Sequence, residues 1–221
     1  MAKSARKTAK AAKPKSAPKS ARRPRMAGKA APGDPKAALR EALLRMVAAG
    51  GWRNLSYADI AKDAGLSLAA AYQAYPSKAA ILAGIGRDID ARLFASLEDD
   101  PLDGSAKDRL FDLVMRRFDA LNDHREAYAA LAWELPRTPL EAGCVLFQLR
   151  RSLASMLEAA GLSASGLRGA LRIEGLGAIY AAALRVFLKD ETEDLSKTMA
   201  ELDKRLGQIE RCINMTRRKS A

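Results

Sequence analysis

Between Leu55 and Lys78 the chain reads L-S-Y-A-D-I-A-K-D-A-G-L-S-L-A-A-A-Y-Q-A-Y-P-S-K, a pattern that leaves few options for folding. Ser56 followed three residues later by Asp59 is a capping-box pattern, so a short helix should begin there, with its free N–H groups met by the serine side chain. Gly65 ends it, because glycine takes the left-handed conformation that turns a chain sharply after a helix. Ser67 can then cap a second short helix running to about Tyr75, and Pro76-Ser77 opens a third. Two short helices joined by a turn containing glycine have the spacing of a helix-turn-helix, whose second helix can enter a DNA major groove. The same spacing is also an ordinary way to pack two helices, so it does not decide the function.

The residues themselves say more than their spacing. The run L-S-Y-A-D-I-A-K-D-A-G-L-S followed by A-Y-Q-A-Y-P-S-K-A-A-I-L closely resembles the N-terminal domain of TetR-family transcriptional regulators, over about residues 38 to 85. That resemblance implies an all-α fold: an N-terminal three-helix helix-turn-helix domain and a larger C-terminal helical domain for ligand binding and dimerisation. It also implies which positions meet DNA. Ser56 and Tyr57 open the second helix, Ser67, Leu68, Ala69, Ala70, Tyr72 and Gln73 belong to the recognition helix, and Lys78 opens the connector. By side-chain type, Tyr72 and Lys78 suit phosphates, while Gln73 has the one amide in the group able to read a base edge. This chain also departs from the family. Where relatives commonly place Lys or Arg, then Gly, Thr and Leu, it has Leu68, Ala69, Ala70 and Ala71. Methyl groups touch thymine methyls but make no hydrogen bonds, so intrinsic base readout should be weak.

Charge is distributed unevenly. Residues 1–33 hold eleven Lys or Arg and no Asp or Glu, which leaves 27 basic and 26 acidic residues for the rest of the 221-residue chain. Rich in Lys, Ala, Pro and Ser and without an aromatic residue, this tail cannot bury enough apolar area to offset chain entropy, and is expected to be disordered. A flexible polycation should bind polyanions through counterion release, and nucleic acid is the partner it suits best; the family resemblance implies double-stranded DNA. A mitochondrial targeting role is disfavoured, because the prolines prevent an amphipathic helix of useful length. No apolar run is long enough to span a membrane, and no signal-peptide core is visible. The expectation is therefore a soluble, intracellular protein, and the family resemblance implies a cytoplasmic, nucleoid-associated one in a bacterium.

After the tail, apolar periodicity predicts helices throughout and no strand. Leu39, Leu43 and Val47 mark a helix over about 36–49, and Ile81, Ile85, Ile89, Leu93 and Leu97 a long connector to about residue 98. Further helices are predicted over about 106–122, 125–135, 139–160 and 165–189. A last one carries Leu195, Met199, Leu202, Leu206, Ile209 and Ile213 in a heptad seam. The seam could be internal core or half of a symmetric four-helix interface. The family resemblance implies the second, a homodimer through the last two helices. It also implies a pocket for a small apolar effector between residues 106 and 188, where Phe111, Met115, Trp133, Phe147 and Tyr180 are the large side chains. Each of these five is as readily plain core. The expected organisation is a basic tail (1–34), a helix-turn-helix domain (35–82), an effector-binding and dimerisation domain (99–215) and a short basic end (216–221).

Catalytic patterns are missing. His124 is the single histidine and lies in a polar helix junction, while Cys144 and Cys212 fit no metal spacing. Gly175-Leu176-Gly177 falls inside a helix with no strand before it, so it is no dinucleotide loop. An enzyme is not expected, nor a cofactor or metal. The readings that remain are a DNA-binding regulator, such as a repressor, whose basic tail supplies affinity, and a helical carrier resembling the isoprenoid-binding proteins of ubiquinone biosynthesis with faded DNA binding. A nonspecific nucleoid packer is a third.

Overall fold

The computed structural model describes residues 33–219, and the side chains of residues 33–208. Residues 1–32 of the basic tail, and with them the expectation of its disorder, lie outside the described residues, as do the side chains of Ile209, Cys212 and Ile213. Helix α1 (Pro35–Gly50) begins at Asp34, whose carboxylate accepts the Lys36 N–H at 2.9 Å, with Pro35 in the first turn where its missing N–H costs nothing. Leu39, Leu43 and Val47 are fully buried along one face, as their spacing requires. Helix α2 (Tyr57–Asp63) starts in a complete capping box between Ser56 and Asp59. Gly65 turns the chain at φ 69°, and α3 (Leu68–Ala74) follows with the Ser67 hydroxyl accepting the Ala70 N–H. Both helices are seven residues long. Trp52, Ile60, Ala71 and Tyr75 close the core beneath them against Ile81 of α4 (Lys78–Asp99).

Beyond α4 come α5 (Ala106–Asn122), α6 (Arg125–Glu134), α7 (Pro139–Ala159), α8 (Gly166–Phe187) and α9 (Ser196–Lys219). Pro136 does not merely stop α6: it sits in a single 3-10 turn, Leu135–Arg137, that leads into α7. Helix α5 runs through the middle, with Leu113, Val114 and Phe118 fully buried and the Phe118 ring stacked against Tyr180 and Phe187 at 5.2 and 5.0 Å. Helix α4 packs on α1, α5 and α7, so it ties the helix-turn-helix to the larger helical domain. One apolar cluster extends from Leu39 in α1 to Leu206 in α9. No strand occurs among the described residues, and no helix there is long and apolar enough to cross a membrane.

Two polar knots lie inside this core. Arg117 of α5 pairs with Asp90 of α4 and donates to the Ser152 hydroxyl (2.8 Å) and the Tyr180 hydroxyl (3.3 Å), so the buried guanidinium joins four helices. At the turn between α8 and α9, the fully buried Asp190 carboxylate accepts from the N–H and hydroxyl of both Thr192 and Thr198.

Helix α9 departs from the simplest reading of its seam. Leu195 lies just before the helix in the left-handed region (φ 55°), and Leu195, Leu202 and Leu206 are buried while Met199 is 40% exposed. The described part of the seam therefore packs inward, on α8 and α5. Exposed apolar side chains lie elsewhere: Leu167 and Leu171 on α8, and Leu140, Leu146 and Phe147 on α7.

Candidate DNA-binding face

Because α3 is short and Ala71 is its one buried residue, most of its circumference faces outward. Leu68 and Tyr72 are 56% and 62% exposed, Ala69 and Gln73 are also exposed, and Ala70 is half-buried. The positions expected to form a reading surface are thus on one outward helix, and their chemistry is as sparse as their sequence. Tyr72 and Gln73 are the only polar side chains on α3 itself.

The remaining expected contacts are largely occupied by the fold. The Ser56 hydroxyl is held in the capping box with Asp59, and the Ser67 hydroxyl accepts the Ala70 N–H at 3.2 Å. Tyr57 donates its hydroxyl to the Tyr75 carbonyl at 2.6 Å, tying the first turn of α2 to the end of α3. Burial raises the pKa of that phenol, and nearby Tyr72 adds to the effect.

Lys78 differs most from its expected role. Rather than reaching outward for a phosphate, its ammonium donates to the carbonyls of Trp52 (2.9 Å) and Leu55 (2.8 Å) and sits 4.0 Å from the centre of the Trp52 ring. The physical reason is local. The loop before α2 exposes backbone carbonyls to the start of α4, and a cation with an aromatic face beside it satisfies them. Burial lowers the Lys78 pKa, with Glu141 and Glu134 opposing that shift.

Three residues outside the expected contact set complete the frame. Glu134, at the end of α6, accepts the N–H groups of Trp52 (3.1 Å) and Arg53 (3.0 Å) and so fixes the loop leading into α2. Gly51, at φ 78°, leaves room for it, since a Cβ there would fall 2.3 Å from the Glu134 carboxylate. Arg40 of α1 donates to the Tyr75 hydroxyl (3.0 Å) and to Asp88 of α4 (3.0 Å), bracing the residue that ends α3. None of these pairings has a local sequence signature, because their partners lie tens of residues away. Exposed Lys62 and Arg53 are further cations on this unit, which carries six basic and three acidic residues over 35–82.

The five large side chains expected around an effector pocket differ widely in burial. Met115 and Tyr180 are buried in the core and Phe111 is half-buried, whereas Trp133 and Phe147 are 70% and 63% exposed. Tyr180 is held by Phe118 and Arg117, and Arg137 covers the Trp133 ring at 4.5 Å. A cleft of about 360 Å³ does exist, between α1, α4 and the start of α6, and none of the five lines it.

Residues 39–85 match the family described as bacterial regulatory proteins, tetR family. The fold is similar to that of a TetR transcriptional regulator from Nitrosomonas europaea ATCC 19718, at 22% identity and a TM-score of 0.63, covering 79% of this chain and 98% of that one. A TetR transcriptional regulator from Rhodococcus sp. RHA1 is similar at 16% identity and a TM-score of 0.56, over 79% and 94% of the two chains. The transcriptional regulator FadR from Bacillus subtilis, solved in complex with stearoyl-CoA, is similar at 16% identity and a TM-score of 0.55, over 77% and 97%. No curated protein matches the chain.

Proposed function

We propose that this chain, whose fold and N-terminal domain are those of TetR-family transcriptional regulators, is a DNA-binding regulator of repressor type in which phosphate contacts outweigh base readout. The observation that carries the reading is α3: it is capped, braced from behind by Tyr57, Arg40 and Tyr75, and presents Tyr72 and Gln73 outward. A frame this well fixed, with a face this poor in hydrogen-bonding groups, suits a protein that binds duplex DNA and discriminates weakly. In this reading residues 35–82 form the DNA-binding unit and residues 99–215 the regulatory one, and the basic arm of residues 1–33 adds charge-driven affinity.

Dimerisation belongs to the same reading, and the exposed apolar residues point to α8 with the adjoining side of α7 as the contacting face. Likeness in fold to a regulator solved in complex with stearoyl-CoA supports an effector with an apolar acyl-type chain here as well. Its identity is open to mass spectrometry of ligands retained by the natively purified protein.

The test is a genomic pull-down with the full-length protein, followed by gel shift with the enriched duplexes and with DNA from the protein's own promoter region. Retardation at low salt that fades steeply as salt rises is the expected result. No retardation of any duplex at low salt would overturn the reading.

A further inference from the structure

None of the residues that line the cleft between α1, α4 and α6 belongs to α2 or α3. Its walls carry four carboxylates, those of Asp34, Glu41, Asp88 and Asp123, against the two guanidiniums of Arg40 and Arg92. Both guanidiniums are already bound to one carboxylate, Asp88. Glu41 meets His124 at 3.2 Å, and exposed Asp123 has no side-chain partner among the described residues. Deeper in the cleft, Leu44, Ile85, Ile89 and Ala120 give an apolar surface, and the Tyr128 hydroxyl beside them has no hydrogen-bond partner among the described residues. The cleft thus combines an acidic rim, an apolar wall and an unused hydroxyl. That combination suits long cationic side chains, whose methylene stems cover apolar surface while their heads meet carboxylates.

One such segment is covalently attached at the cleft's edge. Asp34, a lining residue, directly follows the arm of residues 1–33, which holds eleven Lys or Arg and no acid that could neutralise them internally. An extended chain spans at most ~3.3–3.6 Å per residue, so Lys29 reaches up to about 17 Å from Asp34 and Arg25 up to about 30 Å. Attachment through so short a tether keeps these cations at high effective concentration beside the cleft.

We propose that in the absence of DNA the arm, residues 19–32, docks in this cleft of its own protomer, and that duplex DNA draws it out. The release step rests on the DNA-binding reading, while docking itself does not. A duplex offers one negative charge per ~1.7 Å of axis, far denser than four carboxylates, so DNA wins the arm at low salt. The docked state then acts as an internal competitor that raises the DNA concentration needed for binding. The cleft also lies where α1 meets α4 and α6, so the occupied arm bridges the helix-turn-helix and the larger domain.

Two measurements on the full chain test this. In the first, a carbodiimide that couples amines to carboxylates is applied at low salt without DNA, and crosslinked peptides are read by mass spectrometry. Coupling of Lys19 or Lys29 to Glu41 or Asp123 is expected, lost on adding excess duplex and reduced in Asp123→Asn. Absence of such crosslinks, or their recovery only between differently labelled copies, would overturn docking in cis.

The second compares DNA affinity of Glu41→Gln/Asp123→Asn in two backgrounds, the natural arm and an arm carrying Arg22→Gln, Arg23→Gln, Arg25→Gln and Lys29→Gln. A gain of about three- to tenfold with the natural arm, and none with the neutralised arm, is expected for a released competitor. Equal gains in both would show only a general charge effect and overturn the proposal. Should no DNA bind at all, the DNA-binding reading fails, and the crosslinks formed without DNA still decide the docking.

Discussion

Lys78 is where side-chain chemistry and position part company. A lysine opening the connector helix beside a recognition helix suits a phosphate, yet its ammonium is engaged with two loop carbonyls and the Trp52 ring. Replacing it by methionine, which keeps the stem and deletes the charge, leaves those carbonyls short of a donor. We expect Lys78→Met to cost about 1–3 kcal/mol in denaturant unfolding. DNA affinity should fall with it, because the loop that positions α2 loosens. The slope of log affinity against log salt should stay unchanged, since no phosphate contact is lost; a slope shallower by about 0.9 would show instead that Lys78 does meet a phosphate. At this scale the caps were legible in the sequence, because Ser56 and Ser67 act on N–H groups three residues away. Partners of Lys78, Arg40 and Glu134 lie far along the chain, and no local pattern could announce them.

Among the elements, the joint between α8 and α9 rests on a single side chain. Asp190 is fully buried, and the burial that would raise its pKa is outweighed by hydrogen bonds from Thr192 and Thr198, which bring it down to about 2. A carboxylate depressed by folding stabilises the native state above its unfolded pKa, near 3.9, and loses that contribution as pH falls towards 2. The contribution is on the order of 2–3 kcal/mol. Thermal unfolding followed from pH 5 to pH 2 should therefore show a loss that is smaller in Asp190→Asn, which also starts less stable at pH 7. Element existence was legible from apolar spacing and from Gly and Pro punctuation, from Asp34-Pro35 through the Pro136 and Pro139 breaks. What a seam faces was not legible: Leu195, Leu202 and Leu206 repeat like a coiled coil, yet they fill the space beside α5 and α8. Spacing reports which residues share a face but not which neighbour covers it. On the outer side of α8, Leu171 is 65% exposed, so Leu171→Glu should leave the protomer folded and shift sedimentation from dimer towards monomer. Unchanged sedimentation would place the dimer contact elsewhere.

For the whole molecule, charge and fold divide the work. The body beyond residue 33 is close to neutral, with 27 basic and 26 acidic residues, and the arm carries the excess that gives the chain its net charge of +12. One continuous apolar core fixes α3 to the larger domain through α4, so a change in that domain has a mechanical route to α3. The fold was legible from the sequence because its N-terminal unit is built from local caps and turns. The candidate site was legible only in outline: the position of α3 was evident, but not that Tyr57 and Lys78 are occupied by the frame, nor that Trp133 and Phe147 are exposed. The central claim is that this frame presents DNA with ionic contacts and little base readout. Its most direct test is the affinity of the full-length protein for its best genomic duplex and for a scrambled duplex of equal length, each titrated against salt. The account predicts steep, parallel salt slopes for both duplexes and a specificity ratio below about 10³, the low end for specific DNA-binding proteins. A ratio well above that, with a shallow slope for the genomic duplex, would contradict it.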